Sequence, residues 1–529
     1  MKRLTISMVL LLMLAVPVIA TSCGETQSSW TYTLSEDFDR GALFNVEYNE
    51  ISGGLVLGEV QSTHPVMWIA NAGEDTVSRW DTENNEEVAR YDTWFGDTAH
   101  SAWSGAAPSR TCVDSEGNCY VVNSHFDTYP ADVFKILANS FVDRNENGRI
   151  DTCIDLNGNG EIGTDELAPY ELADLNGNGI IDDAEIKDER IAWVVTVGNN
   201  NGLGRSLSID PSGYIWLGLY NDQAYYKISP VDGTIVAGPI NVGVTPYGSL
   251  VDKHGILWGL NYNMGLLRLD TADNSFSIIP MTMGRCYSLA LSYDDEDYTQ
   301  VYMSSDTGNL SYIQYDTNPA TNPGDTLKSP AELQFRSLGI GTDTYGNIYC
   351  SNYDNGGGVT KFAPDGTVVW TAAPQTAYYD NRAALMDSGG NVWVCLPGNS
   401  QLAKFDGSTG EHLGVFNCGQ KPYTYGDATG LGLLEAIPPR GTWTVIVDSG
   451  AGNTEWSDVS WNGDTPAGTE ITVRVCSSED NRIWSGWETL ASGETLSDIP
   501  DGRYLKAEVT LEKTSGSESP TLYKFTVTK

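Results

Sequence analysis

Basic residues are scarce in this chain. Lys and Arg number 30 against 70 Asp and Glu, for a formal net charge of −40. Such a surface repels polyanions, which argues against nucleic acid and anionic membrane surfaces as partners. Histidine is scarcer still, at five residues. No G-x-S-x-G, H-E-x-x-H or phosphate-loop motif occurs. Beyond the N-terminal leader, no run reaches the ~18 apolar residues of a membrane span.

The leader itself reads MKRLTISMVLLLMLAVPVIATSCG. Lys2 and Arg3 form a positive start and Leu4 to Ile19 an apolar run, so residues 1–22 read as an export signal outside the fold. A cut after Val18-Ile19-Ala20 suits an ordinary signal peptidase. The stretch Ala20-Thr21-Ser22-Cys23 resembles a bacterial lipobox, which would acylate Cys23. The protein is therefore expected outside the cytoplasm, lipid-anchored in the cell envelope or secreted, with membrane contact only through Cys23. Nine cysteines are present, and eight remain after Cys23. Export permits disulfides. Cys112 and Cys119 flank the turn 113–118 and are expected to bridge across a hairpin.

What is abundant is repetition. VMWIANAGEDTVSRWD from 66, GNCYVVN from 117, GYIWLGLYNDQAYYKISP from 213, GILWGLNYNMGLLRLD from 255, GNIYCSNYDNGGGVTKFAP from 346 and GNVWVCLPGNSQLAKFDG from 390 are units of one pattern. A seventh, with an irregular turn, starts at 284. A Gly turn precedes a short aromatic strand, and most units have a strand ending in Asp before it. Four short strands at a spacing of about 40 residues predict propeller blades. The fold class expected is all-β: a seven-bladed β-propeller over 59–435, with an insert at 143–190 in blade two and a C-terminal β-sandwich at 440–529. The tail YGDATGLGLLEAIPP reads as one more innermost strand that closes the ring. Segment 30–58 alternates like the C-terminal strands and is expected to pack with them.

The pattern D-x-x-G-x-ϕ-W/Y followed by I/V-x-K/R-ϕ-D/P (ϕ apolar) resembles virginiamycin B lyase and NHL-type propeller repeats. The lyase resemblance implies Glu or His just after the second strand of certain blades, holding Mg²⁺ and supplying a base. Here those positions are Asn71, Asn123, Leu219, Asn261, Asn352 and Leu396, none of which can act as a base. His64, His100 and His125 fall in loops of one sector and read as solvated residues.

Two stretches, DLNGNGEIGTDE from 155 and DLNGNGIIDDAE from 174, place oxygens at positions 1, 3, 5, 7, 9 and 12 with Gly at 6. That is the ligand order of a calcium loop. The ligands expected are Asp155, Asn157, Asn159, the Glu161 carbonyl and Glu166, then Asp174, Asn176, Asn178, the Ile180 carbonyl, Asp182 and Glu185. A third copy supplies Asp143, Asn145, Asn147 and Asp151, but Ile154 stands where Glu belongs. The arrangement is similar to EF-hand, dockerin or thrombospondin type 3 calcium repeats and implies Ca²⁺ as the cofactor.

Arginines at or near the start of five innermost strands form the last constellation: Arg110, Arg205, Arg285, Arg336 and Arg382. Tyr247 takes the same register in blade four. Arg suits planar anions through paired N–H groups, so these residues are candidate ligand contacts at the channel mouth. The alternative is pairing with nearby Asp to hold blades together. The function expected is that of a monomeric, calcium-binding surface or periplasmic binding module. Its partner would be an anionic ligand, a glycan or a protein. A lyase-like enzyme and a carbohydrate-binding role for the tryptophan-rich C-terminal domain are the alternatives.

Overall fold

Asp210, Asp252 and Asp387 each open a tight turn with the same contacts. One carboxylate oxygen accepts main-chain N–H groups two and four residues on, at 2.8–3.0 Å. The other accepts the indole N–H of Trp216, Trp258 or Trp393, at 2.7–2.9 Å. The ammonium groups of Lys227 and Lys404 stand 3.4 Å from Asp210 and Asp387. Each also lies over the matching Trp ring, at 5.1 and 4.8 Å. Asp114 and Asp343 use the hydroxyls of Tyr120 and Tyr349 instead. The Gly three residues after each Asp has φ between 74° and 86°, a region open to Gly without strain. These contacts are the physical content of the repeated spacing.

The structure is a computed structural model. It describes residues 28–58, 61–95, 101–262, 265–281, 285–306, 310–324, 326–332, 335–354, 358–373, 380–496, 499–516 and 518–529. The leader and Cys23 lie outside these. The described chain is nearly all-β, built from many small antiparallel sheets. Seven follow one another along the chain from Val66 to Asn417. Their first strands are Val66–Asn71, Pro108–Val113, Gly204–Ile209, Pro246–Val251, Cys286–Tyr293, Ser337–Thr342 and Arg382–Met386. Lysines tie neighbours together. Lys135 donates to the Pro230 carbonyl (2.8 Å), Lys227 to Thr271 (3.4 Å), Lys361 to Gly407 (2.9 Å) and Lys404 to Thr82 (2.8 Å). The last contact joins the seventh sheet to the first, where Trp393 and Trp80 also meet at 6.2 Å.

The first sheet has three strands of its own. Segment 421–428 runs beside it: Tyr423 donates to the Ala70 carbonyl (2.8 Å) and Trp68 to that of Ala428 (3.0 Å). Tyr425–Gly426 pairs in parallel with Pro108–Val113 of the second sheet. The innermost strand expected in this tail is confined to Tyr425–Gly426, and Leu431–Ala436 is a helix. Its start is organised by Asp427, whose carboxylate accepts the N–H groups of Thr429, Gly430, Gly432 and Leu433.

Two further sheets share one core. Val46–Asn49, Gly54–Leu57, Thr521–Thr528, Asp458–Asp464 and Glu494–Thr495 form one, with Ser29–Tyr32 also on Thr521–Thr528. Ala42–Phe44, Arg440–Asp448, Tyr504–Lys513, Thr469–Ser478 and Glu488–Leu490 form the other. Buried residues alternate along Tyr504–Lys513 with period two, so one face meets the core around Trp443, Val509 and Phe525.

Segment 143–190 leaves the second sheet between Ala131–Ile136 and Ile191–Val197. It folds back on Glu86–Asp92, the outer strand of the first sheet. Glu87 donates to the Gly160 carbonyl (3.1 Å), Asp155 to that of Val88 (3.3 Å), and Leu172 to the Asp92 carboxylate (2.7 Å). Leu172, Ile181 and Ile186 join the apolar cluster of Trp68, Tyr91 and Phe134. The segment therefore borrows a core rather than building one.

The expected Cys112–Cys119 bridge is absent, and both thiols are free. Cys112 stands opposite Tyr120 and Cys119 opposite Val113. That one-residue offset turns the two side chains to opposite faces, into separate apolar clusters.

Candidate functional site

Each inner strand that carries a candidate side chain slips register at its start: between Pro108 and Arg110, Gly204 and Ser206, Pro246 and Ser249, Cys286 and Ser288, Ser337 and Ile340, and Arg382 and Leu385. A bulge re-aims a side chain out of the strict alternation. Arg110, Arg205, Arg382 and Tyr247 are thereby gathered into one buried cluster with Tyr287, Tyr423 and Tyr425. The Arg205 guanidinium lies 4.8 Å from the Tyr247 ring and donates to its hydroxyl at 2.9 Å. Arg110 lies 4.7 Å from the Tyr425 ring, and its Nε has no hydrogen-bond partner. Arg382 pairs with Asp380 and contacts Tyr287, Tyr353 and Tyr423. Burial pushes the Tyr247 hydroxyl up, but Arg205 and Arg110 outweigh it and hold its pKa below the ordinary value. Burial lowers that of Arg110, with Arg205 adding to the effect.

The five arginines divide. Arg285 and Arg336 sit at the rim, more than two-fifths exposed, each paired with a carboxylate: Asp306 at 2.9 Å and Asp354 at 2.7 Å. Each pair lies within one sheet and joins no neighbouring sheets. Arg110 and Arg205 have no carboxylate partner among the described residues. The sequence pattern missed Tyr287, Tyr423, Tyr425 and Trp103. Trp103 covers the cluster, with its ring 4.8 Å from Tyr423 and 5.6 Å from the Arg205 guanidinium.

The three loops of 143–190 share one geometry. At position 1, Asp143, Asp155 and Asp174 each accept the N–H of the Gly at position 6, at 2.7–3.0 Å. Those glycines, Gly148, Gly160 and Gly179, have φ of 73°, 79° and 74°. At position 12, Glu166 accepts the N–H groups of Leu156 and Gly163, both at 2.8 Å. Glu185 accepts those of Leu175 (2.7 Å) and Asp182 (3.0 Å). These are positions 2 and 9 of each loop. In the first loop, where Ile154 holds position 12, Glu189 does the same work. It accepts the N–H groups of Arg144 (3.0 Å) and Asp151 (2.8 Å), again positions 2 and 9. Glu166, Glu185 and Glu189 are 3%, 3% and 1% exposed, and none meets a Lys or Arg ammonium or guanidinium among the described residues. The Asn145 and Asn147 amides donate to Asp151, and those of Asn176 and Asn178 to Asp182. Asn157 donates to Glu166, and the Asn159 amide oxygen accepts the Glu161 N–H. The Ile180 N–H is held by the Asn178 amide oxygen. No group of three or more His, Cys, Asp or Glu side chains converges on one point among the described residues.

At the positions aligned with a lyase base, Asn71, Asn123, Leu219, Asn261, Asn352 and Leu396 are all buried. The Asn71 amide donates to Thr76 and Ser78, and the Asn123 amide to the Thr93 carbonyl. His125 corrects the expectation of a solvated loop residue. It is fully buried, with its ring nitrogens 2.9 Å from Asp127 and 2.7 Å from Asp132. His64 stacks on Phe44 at 4.1 Å, and His100 lies outside the described residues. Of the C-terminal tryptophans, Trp456 is in the core, Trp461 packs against it, and Trp487 is 42% exposed.

No family model matches the chain, and no curated protein does. Among solved structures it is similar to selenomethionine-substituted virginiamycin B lyase from Staphylococcus aureus, at 12% identity over 59% of this chain and 84% of that one, with a TM-score of 0.40. It is similar to the dihydro-heme d1 dehydrogenase NirN, at 10% identity over 70% and 76%, with a TM-score of 0.42. It is also similar to AztD from Citrobacter koseri, at 9% identity over 68% and 96%, with a TM-score of 0.41. Likeness at this level assigns the chain no activity, and function is argued from its own residues.

Proposed function

We propose that this chain is an exported, calcium-binding, seven-bladed β-propeller with a C-terminal β-sandwich, acting as a binding module and not as a catalyst. The observation that carries the calcium reading is the threefold glutamate geometry. Three buried carboxylates, each fixed by the N–H groups of positions 2 and 9, face loops that begin with Asp and turn on Gly. A buried carboxylate without a cation is costly. A hard divalent cation with six to eight oxygen ligands answers that charge. Asp at position 1, Asn oxygens at 3 and 5, a carbonyl at 7 and a two-oxygen Glu make such a donor set. The amides of Asn145, Asn147, Asn176 and Asn178 would present oxygen in place of N–H by a flip of the side-chain amide, which gives up the main-chain N–H groups of Asn147, Arg149, Asn178 and Ile180 that those oxygens now accept.

Calorimetry with Ca²⁺ is expected to give three sites with Kd at about 10⁻⁴–10⁻³ M. Limited proteolysis with chelator should cut within 143–190 while the sheets stay intact. No heat of binding, with identical cutting in both conditions, overturns the reading. Export predicts a mature chain that starts at Cys23 with added lipid mass, and an unmodified start at Thr21 in intact-mass measurement removes the anchor.

A second reading concerns the centre of the propeller. Arg110 and Arg205, buried without a carboxylate partner, favour an anionic ligand beneath Trp103. Acidic glycans and peptides tested against Arg205→Gln and Arg382→Gln variants decide it. Lost binding with an unchanged melting temperature supports the reading. Retained binding with a lowered melting temperature assigns the arginines to the fold.

A further inference from the structure

A cavity of about 880 Å³ opens where the C-terminal sheets meet the second-sheet hairpin and the start of the 143–190 segment. Its size is in the range of small-ligand sites. Its walls are unlike the rest of the surface. Arg190, Arg440, Arg474, Arg482 and Lys506 all line it, in a chain that holds only 30 basic residues. The carboxylates beside them are already committed. Glu508 and Glu116 both bind Arg474, at 2.7 and 3.3 Å. Asp114 is spent on its own turn, and Asp143 on the first loop. Among the described residues no carboxylate lies within ion-pair distance of Lys506, Arg440 or Arg190. Arg190 donates only to the carbonyls of Ala138 and Ser140, and Arg440 to the Ser115 hydroxyl. The remaining wall is aliphatic, aromatic and hydroxylic, with Ile150, Leu434, Ile437 and Ile483 among its side chains. Lys506 lies 4.0 Å from the Trp484 ring, Arg474 lies 4.5 Å from that of Trp487, and the Phe44–His64 stack and Ser485 complete it.

We infer that this cavity is a binding site for an acidic oligosaccharide carrying carboxylate or sulfate groups. Unanswered cations fix the acid groups. Flat ring faces take the apolar faces of sugar rings, and hydroxyl and amide side chains meet their hydroxyls. The inference stands apart from the central arginine cluster, and because Asp143 and Ile150 of the first loop line the cavity, the Ca²⁺ concentration is held fixed in its test.

The test titrates trigalacturonate, its methyl ester and a heparin-derived disaccharide into the whole protein at a fixed Ca²⁺ concentration, followed by calorimetry and tryptophan fluorescence. At least one acidic probe is expected to bind about tenfold or more tighter than the ester, and the one that binds distinguishes carboxylate from sulfate. Lys506→Gln and Arg440→Gln should each weaken it several-fold, while Lys524→Gln, at an exposed lysine outside the cavity, leaves it unchanged. Trp487→Ala, at an exposed ring, carries the test if either charge variant melts early. The inference is overturned if neither acidic probe binds, if the ester binds equally, if Lys506→Gln, Arg440→Gln and Trp487→Ala all bind like the parent, or if Lys524→Gln abolishes binding.

Discussion

The seven-sheet unit and the 143–190 segment both bend the chain around aspartates, and in both the carboxylate collects main-chain N–H groups. They differ in what answers the negative charge. Asp210 and Asp387 have a Trp indole and a Lys ammonium within their own sheet. Among the described residues Asp143, Asp155 and Asp174 have N–H groups only. Arg144 reaches Asp183, but Arg190 is spent on carbonyls. One unit carries its counter-charges in covalent form. On the calcium reading proposed above, the other takes them from solution. Cohesion of the first should ignore a chelator, and order in the second should follow it.

The largest effect is expected from breaking the internal balance. Asp387→Ala removes the acceptor of the Trp393 indole and the partner of Lys404, both buried. An uncompensated buried charge and an orphaned donor cost about 3 kcal/mol. The melting temperature should fall equally with Ca²⁺ and with chelator. A loss that Ca²⁺ repairs would show that the two regions are not separate systems.

His125 sharpens the comparison by pH. Burial opposes its charge, but the carboxylates of Asp127 and Asp132 outweigh burial and push its pKa up to about 9. A pKa raised in the folded state gives stability that is full below about 6.5, the unfolded value, and lost as pH climbs through 9. Between pH 7 and 10 the seven-sheet unit should lose on the order of 2 kcal/mol through this group. A His125→Gln variant should be less stable at pH 7 and show a flatter profile. The same slope in both proteins would assign the loss to other groups.

These contacts were unequally legible in the sequence. The sheet turns could be read because Asp, Gly, the aromatic and, in several units, Lys recur at fixed short spacing and all contact one another. The arginines could be read for the same reason, but not their setting, since Tyr423 and Tyr425 arrive from the end of the unit. The spacing of Cys112 and Cys119 was visible while their register was not, and register decides which face a side chain takes. His125 was read as solvated because its two carboxylate partners, although near in sequence, are brought to it only by the loop fold. Glu189 was missed because it follows the third loop yet serves the first.

That last contact gives the finest test. If the three loops are equivalent, Glu166→Gln, Glu185→Gln and Glu189→Gln should each remove one Ca²⁺ site and leave two. A Gln at 189 keeps one acceptor oxygen for the Arg144 N–H, so the chain path through the first loop should survive. Its second group is an NH₂, which cannot accept from Asp151 and cannot serve as a second oxygen for a cation. Affinity at that loop should fall about tenfold or more, near 1.4 kcal/mol, while the other two loops titrate as before. Glu189 lies next to the return strand Ile191–Val197, so with Ca²⁺ present the Glu189→Gln protein should become cleavable near 143–151 and not near 174–185. Three sites of unchanged affinity in Glu189→Gln, alongside the loss of one in Glu166→Gln, would reduce Glu189 to a main-chain clasp and leave the first loop without a cation.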